Sequence, residues 1–335
     1  MEARHYSRDD AGIMHCNLCN HHCRIADTKT GICGVRRSIR GQLIAETYGR
    51  VSSEAVDPIE KKPLYHFLPG TLSYSLGGVG CNFSCSHCQN WHISHASFDS
   101  IRQKTLSPEE GVKRAIASGS SSISWTYNEP TIWFEYTQDM ARLAHQQGLK
   151  TVYVTNGYMT EDALTDLAPD LDAWRVDIKA FTEEFYHKVC RARLQPVLDT
   201  AIRAKELGLH IEVVHLMIPG LNDSPEETGR LISWVIDNLG QDTPVHFTRF
   251  HPDFQMQETP ATPIRTLERA FHLAKEKGLR YPYLGNVPGH EYEQTWCPHC
   301  NNLLIGRSGY TVGPIHLHHG KCAHCGKETG IITYI

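Results

Sequence analysis

Over the middle two-thirds of the chain one hydrophobic rhythm recurs: a short, nearly continuous apolar run, a polar turn, then a longer segment with apolar residues three and four apart. The runs Leu72 to Leu76, Ser121 to Trp125, Thr151 to Thr155, Ala173 to Ile178, Ile211 to Met217 and Val245 to Phe250 have the length and β-rich make-up of buried strands. The intervening pattern predicts helices from Ser107 to about Ser118, over Thr131 to Gln147, from Glu161, over Glu183–Val189 and Pro196–Leu207, from Ser224, and from Thr262-Pro263 to about Lys277. Ser107-Pro108-Glu109-Glu110 and Ser224-Pro225-Glu226-Glu227 are capping boxes, in which a serine hydroxyl takes a first-turn N–H that has no intrahelical partner. Gly148-Leu149-Lys150, Gly208-Leu209-His210 and Gly278-Leu279-Arg280 each set a helix-ending glycine before the next strand. Six successive βα units predict an α/β fold with a parallel sheet and right-handed crossovers. Residues 41–56 read as one or two short strands around Gly49. The expected division is an N-terminal cysteine-rich region with its lead-in over 1–70, a βα core over 71–288, and a cysteine-rich C-terminal segment over 289–335.

Composition narrows the class. The chain has 335 residues, 40% hydrophobic and 21% charged, as a soluble globular protein has. Its formal net charge of −4 supplies no bulk positive field, which argues against nucleic acid and membrane surfaces as partners. Met1-Glu2-Ala3-Arg4-His5 is too polar for a signal peptide, and no apolar run is long enough to span a bilayer. Twelve cysteines could indicate a secreted disulfide scaffold. Eleven of them fall in metal-type spacings within a chain able to build a core, so a reducing cytoplasm is the expected compartment.

Those spacings form three sets. Behind the glycine-rich turn Gly77-Gly78-Val79-Gly80 come Cys81, Cys85 and Cys88, a C-x3-C-x2-C pattern. A structural zinc takes four ligands, whereas three thiolates suit a [4Fe-4S] cluster with one iron left open. The competing reading is a zinc knuckle or a buried thiol cluster. Near the N-terminus, Cys16, Cys19, Cys23 and Cys33 close a four-thiolate site, read as structural zinc with a second iron–sulfur cluster as the alternative. At the other end, Cys297-x2-Cys300 and Cys322-x2-Cys325, 21 residues apart, have the layout of a zinc ribbon. His316, His318 and His319 lie between those pairs and are expected to be exposed. Cys190 stands outside every metal-type spacing and is expected to be a buried thiol.

The C-x3-C-x2-C motif resembles the signature of the radical S-adenosylmethionine (SAM) superfamily. Within it the chain is similar to activases of glycyl-radical enzymes, and most similar to the radical-SAM member of the AmmeMemoRadiSam system. The stretches Glu60 to Phe67, Gly80 to Asn90, Tyr127-Asn128-Glu129-Pro130-Thr131, Ile218 to Asp223 and Tyr283-Leu284-Gly285-Asn286 carry that likeness. The resemblance implies a partial (β/α)6 TIM-type barrel with its site at the C-terminal ends of the strands. It also implies a [4Fe-4S] cluster that cleaves SAM reductively to a 5′-deoxyadenosyl radical, which then abstracts hydrogen, as a pyruvate formate-lyase activating enzyme does from a glycine. By the same likeness Glu129 faces the SAM amino group, at a place where activases carry Gly-Gly-Glu-Pro and this chain has Tyr127 and Asn128. Thr155 and Asn156 lie near the SAM ribose and methionine. Asp177 and Lys179 flank SAM and substrate, unless they form a self-satisfied ion pair. His251 lies near SAM, and His87 stands where relatives place an aromatic residue beside adenine. The stretch Asp57 to Gly70 is expected beside the cluster mouth, with Lys61, Lys62 and His66 as candidates to touch substrate or SAM there and surface charge as the preferred reading of the two lysines.

The implied partners are a flavodoxin or ferredoxin as electron donor, a possible protein substrate, and Memo-like and AMMECR1-like proteins. Two alternatives stand beside this reading: a zinc-dependent protein- or RNA-binding protein on a barrel scaffold, and radical modification of a small molecule or nucleotide.

Overall fold

The computed structural model describes residues 1–333. Its centre is an open eight-stranded sheet with β1 (Ser53–Pro58), β2 (Leu72–Gly77), β3 (Ser122–Trp125), β4 (Lys150–Thr155), β5 (Ala173–Asp177), β6 (His210–Met217), β7 (Val245–Arg249) and β8 (Pro282–Gly285) side by side in that order. Strands β2 to β8 are parallel, and β1 runs antiparallel along the edge of β2. Helices α1 (Pro108–Ala117), α2 (Phe134–Gln146), α3 (Glu161–Leu167), α4 (Gln195–Glu206), α5 (Pro225–Leu239) and α6 (Ile264–Glu276) follow β2 to β7 in turn. The six βα units are those that the hydrophobic pattern predicts; β8 is a further parallel strand. Ser107 and Ser224 accept from the N–H groups of Glu110 and Glu227, as the capping boxes require. Gly148, Gly208 and Gly278 have φ of 76°, 83° and 95°, the left-handed turn that ends a helix before the next strand.

The two faces of the sheet differ in chemistry. Tyr74, Leu76, Trp125, Tyr153, Trp174, Val213 and Phe247 pack outward against Met140, Ala144, Ala201, Leu231, Val235 and Leu267 of the helices. Burying a leucine- or phenylalanine-sized side chain there contributes about 1.5–3 kcal/mol. The inner face carries Ser73, Ser75, Ser122, Ser124, Arg175, Glu212, His246 and Tyr283, all 9% exposed or less. Buried polar groups need partners; Ser73 and Ser124 bond each other at 2.6 Å, and the stretch from Ile59 to Gly70 supplies partners to Ser75, Arg175, Glu212 and Tyr283. Lys62 donates to Asp57 (2.9 Å) and Ser75 (2.5 Å), and its carbonyl accepts from Arg175 Nε (2.5 Å). The N–H groups of Tyr65 and His66 donate to the two oxygens of Glu212 (3.0 and 2.7 Å), and His66 Nε2 bonds to Tyr283 Oη (2.7 Å).

This segment therefore plugs the barrel instead of flanking the cluster mouth. His66 is 1% exposed beside residues near the starts of β6 and β8, at the end of the barrel away from the strand termini. That removes it from reach of substrate. Lys62 is likewise a buried anchor (3% exposed) and not surface charge, and burial lowers its ammonium to about 8 despite Asp57. Lys61 is exposed, as expected, and pairs with Asp57 at 2.8 Å.

The C-terminal segment docks on the same plug. Arg307 donates to the Tyr65 carbonyl (2.8 Å) and Thr295 Oγ1 (2.6 Å), and its guanidinium lies 4.1 Å over the Tyr65 ring. Leu68 and His66 exchange backbone bonds with Ile332. The N-terminal segment, with strands Tyr6–Arg8, Met14–Cys16 and Arg24–Ile25, sits at the opposite end. There the Asn20 N–H donates to the Tyr158 carbonyl and the Thr160 N–H to the Leu18 carbonyl, tying the segment to the turn after β4. Among the described residues no helix is long and apolar enough to cross a membrane.

One exposed end of the core has a pH signature. Asp172, just before β5, accepts from His145 (2.8 Å), Lys150 (2.9 Å) and the Thr151 N–H (2.9 Å). Burial pushes its carboxyl up, but those hydrogen bonds outweigh burial and hold it at about 2, against an ordinary 3.8. A depressed folded-state pKa gives stability that is complete above 3.8 and lost as pH falls through 2. Asp172→Asn should therefore remove about 2 kcal/mol at neutral pH and flatten the stability–pH slope between those values, read by urea denaturation.

Candidate metal centre

In the turn after β2, Gly80 has no room for a side chain. A Cβ on Gly80, whose φ is +88°, would lie 2.5 Å from the Cys33 carbonyl oxygen. Asn128 clamps this turn from the end of β3: its Oδ1 accepts from the Gly78 N–H (3.0 Å) and its Nδ2 donates to the Gly80 carbonyl (2.9 Å). Tyr127, beside it, takes a left-handed φ of 72° and donates its hydroxyl to Asp57 at 2.7 Å. Asn128 thus ties the cysteine loop to the end of β3, and Tyr127 ties that end to the edge strand β1. Sequence reasoning missed this role, although Asn and Tyr at glycine positions are a visible departure.

Cys81, Cys85 and Cys88 follow on that loop, Cys85 buried and the others half-buried. The Phe83 N–H donates to Cys81 Sγ at 3.3 Å, and Asn156 Nδ2 lies 3.9 Å from the same sulfur. The loop is stitched to a π-helical turn, Tyr186–Cys190, by Ser84 N–H to the Cys190 carbonyl (3.0 Å) and Ser86 N–H to the Val189 carbonyl (3.1 Å). Cys190 is buried, as expected. Its thiol, beside Cys85, lowers that group, whereas burial raises Cys81 and Cys88. An S–H donor on a thiolate is a lever on the potential of whatever that sulfur binds. Cys190→Ala should shift the midpoint of a cluster held by Cys85 to a more negative value and Cys190→Ser should restore it, measured by redox titration.

The other predicted residues gather around this loop from neighbouring strand ends. Glu129, after β3, is 1% exposed and accepts from Thr131 N–H (2.9 Å), Thr155 Oγ1 (2.7 Å) and Asn156 N–H (2.8 Å). Burial raises its carboxyl, and these donors oppose the rise. Thr155 and Asn156 end β4, and Asn156 Nδ2 also donates to Asn82 Oδ1 at 2.7 Å. At the end of β5, Asp177 and Lys179 form an ion pair of 2.5 Å, and Arg175 bonds the other Asp177 oxygen. His87 is 4% exposed, 6.1 Å from the Phe185 ring, with Nδ1 lacking a partner; burial lowers it to about 3, so it is a neutral imidazole. His251, beyond β7, is exposed at the rim.

The two terminal cysteine sets differ. The ligand atoms of Cys297, Cys300, Cys322 and Cys325 all lie within 4.8 Å of one another, a gathering that among the described residues is confined to this set. Cys297 and Cys325 approach to 3.7 Å, as do Cys300 and Cys322. Asn302 donates to Cys300 and lowers its thiol to about 6. Cys16, Cys19, Cys23 and Cys33 face a common cavity without closing on it. His318 and His319 are exposed, and His316 is half-buried with its ring 5.5 Å from that of His324.

The mostly parallel sheet, with cysteines on the loop beyond the C-terminal end of β2, is a fold shared with solved structures. A radical SAM methyltransferase from Sphaerobacter thermophilus superposes with a TM-score of 0.51 at 17% identity, over 64% of this chain and 66% of that one. The sequence model of the radical SAM superfamily matches residues 76–232. The uncharacterized protein MJ0808 of Methanocaldococcus jannaschii is 45% identical over 333 residues, 99% of each chain. The pyruvate formate-lyase-activating enzyme of Clostridium pasteurianum is 24% identical over 182 residues, 51% of this chain and 72% of that one. A GTP 3′,8-cyclase of Actinobacillus pleuropneumoniae is 25% identical over 295 residues, 79% of each. The chain belongs to the radical SAM superfamily of enzymes. Membership implies a [4Fe-4S] cluster and SAM as cofactors.

Proposed function

We propose that Cys81, Cys85 and Cys88 hold the [4Fe-4S] cluster by three of its corners, and that the site activates a glycine Cα of a partner protein. The observation that carries this reading is the placement of Cys190. Cys190 stands outside the C-x3-C-x2-C spacing and lies buried in the π-helical turn that backs the loop, bound to it through the Ser84 N–H and the Cys190 carbonyl. Read as a neighbour of Cys85 and not as a fourth ligand, it leaves one corner to SAM. The buried, unpartnered Nδ1 of His87 and the side-chain-free turn at Gly80 fit a cofactor pressed against this loop. When bound, the cluster and SAM supply one-electron cleavage of the C5′–S bond, giving a carbon radical that takes a hydrogen atom.

The protein's share is positioning. Asn128 and Asn156 hold the cysteine loop. Glu129 locks the β4 terminus and has acceptor capacity left for the SAM ammonium. Thr155 and Asn156 flank the ribose and methionine, His87 offers a neutral ring to adenine, and the Asp177–Lys179 pair and His251 border the substrate side. Likeness to the activating enzyme supports a protein substrate and a flavodoxin or ferredoxin as donor. Memo-like and AMMECR1-like proteins are the partners to try first. We assign zinc to Cys297, Cys300, Cys322 and Cys325, where thiols at 3.7 Å suit one tetrahedral ion that staples the C-terminal segment.

The test is anaerobic capture of a partner protein biosynthetically labelled with α-deuterated glycine, followed by reduction and addition of SAM. Deuterium in the 5′-deoxyadenosine and a glycyl EPR signal on the partner are expected. Deuterium transfer from a nucleotide instead would move the reading to the small-molecule chemistry of the cyclase relatives.

A further inference from the structure

The N-terminal cysteines offer a second metal site whose occupant the geometry distinguishes. One chain provides its own standard: at the C-terminus four sulfurs have closed to distances that suit a single ion. Cys16, Cys19, Cys23 and Cys33 instead line a small hollow, walled by Leu18, Ile25, Ile32 and Ile132, without the close gathering of sulfurs seen at the C-terminus. Four thiols held apart around an apolar hollow suit a multi-iron core, because its ligands bind separate corners.

Two buried donors at this cavity point the same way. Arg36 is 1% exposed; its Nη1 pairs with Glu135 (3.0 Å), its Nη2 donates to the Arg4 carbonyl (2.5 Å), and its Nε has no partner. Asn82 is also 1% exposed, and its Nδ2 has no partner. A buried N–H without an acceptor is costly. Sulfides and thiolates of a cluster are acceptors that would satisfy both, and the guanidinium opposes the cluster's negative charge.

The same residues join this cavity to the radical site. Asn82 follows Cys81 directly. Its carbonyl bonds to His21 Nε2 (2.7 Å), between Cys19 and Cys23, and its Oδ1 accepts from Asn156 (2.7 Å). Gly80 has no Cβ because the Cys33 carbonyl occupies that space.

We propose that Cys16, Cys19, Cys23 and Cys33 ligate a second, fully coordinated [4Fe-4S] cluster that relays single electrons to the Cys81 loop. With all four corners taken by thiolates it has no open iron for a substrate, so electron transfer is the chemistry left to it. One electron enters from an external low-potential one-electron carrier, reducing this cluster, and leaves to the neighbouring site, restoring it. No proton or group moves.

The test uses the full chain, reconstituted anaerobically. Wild-type protein should hold about eight iron and one zinc per chain. The triple variant Cys81→Ala/Cys85→Ala/Cys88→Ala should keep about four iron and one zinc, with a reduced-cluster EPR signal that SAM leaves unchanged. The reduced wild type should also show broadening from two interacting paramagnets, absent from the triple variant. About four iron and two zinc in the wild type, with an iron-free triple variant, would overturn the proposal while leaving the radical site intact. About four iron in the wild type, all of it retained in the triple variant, would instead overturn the radical site alone. Two non-interacting signals in the wild type would overturn the relay.

Discussion

Alanine at any one of Cys81, Cys85 or Cys88 reduces SAM-dependent formation of 5′-deoxyadenosine to the background of reductant alone. The expected loss is total because the thiolate is a metal bond and not a contact: two sulfurs leave two irons without protein ligands, and the core dissociates or degrades. Serine should do no better, since a hydroxyl does not supply the soft anionic donor that iron–sulfur cores need. The measurement is chromatographic detection of the nucleoside after dithionite reduction. Circular dichroism of each variant should match wild type, because the sheet is held by the outer packing of Trp125, Tyr153 and Trp174 and by the plug. Product at wild-type level from any of these variants would remove the site from this loop.

Glu212→Ala should be the most destabilising single substitution in the barrel, costing about 3–5 kcal/mol. Its carboxylate is fully buried and accepts from the Tyr65 and His66 N–H groups, His210 (3.0 Å) and His246 (2.7 Å). Burial pushes the acid up, but the two histidines outweigh it and hold it well below its ordinary range, so it stays ionised. Burial in turn lowers His246, which donates as a neutral imidazole. Alanine strands four donors and frees the plug from the sheet. Glu212→Gln keeps the shape and one acceptor oxygen, and should lose less. Urea unfolding checks both; a Glu212→Ala curve within about 0.5 kcal/mol of wild type would mean that the plug is not held by this residue.

The contrast between these two residues shows what the sequence made legible. Cys81, Cys85 and Cys88 announce themselves by spacing, and the six βα units by periodicity, capping boxes and helix-ending glycines, because all of these are local. Glu212 meets its plug partners 146 and 147 residues away, and no local pattern encodes that meeting. The charged stretch Glu60-Lys61-Lys62 reads as surface for the same reason: the acceptors that let Lys62 be buried lie on the sheet. Cys190 was recognisable as a buried thiol but not as a neighbour of Cys85. That contact depends on the π-helical turn, which the helical periodicity around Glu183–Val189 does not predict. The N-terminal cysteines gave a ligand set, while the proposal of a cluster over an ion rests on how the fold disposes them, which no local spacing encodes.

The central claim concerns one vacant iron corner, and electron–nuclear double resonance on the reduced protein addresses it directly. With SAM labelled with 15N at its amino group and 17O at its carboxylate, both nuclei should couple to the cluster of wild-type protein. Neither coupling should appear in the Cys81→Ala/Cys85→Ala/Cys88→Ala variant. A cluster whose spectrum ignores labelled SAM, or whose fourth corner carries a cysteine sulfur from Cys190, would contradict the account.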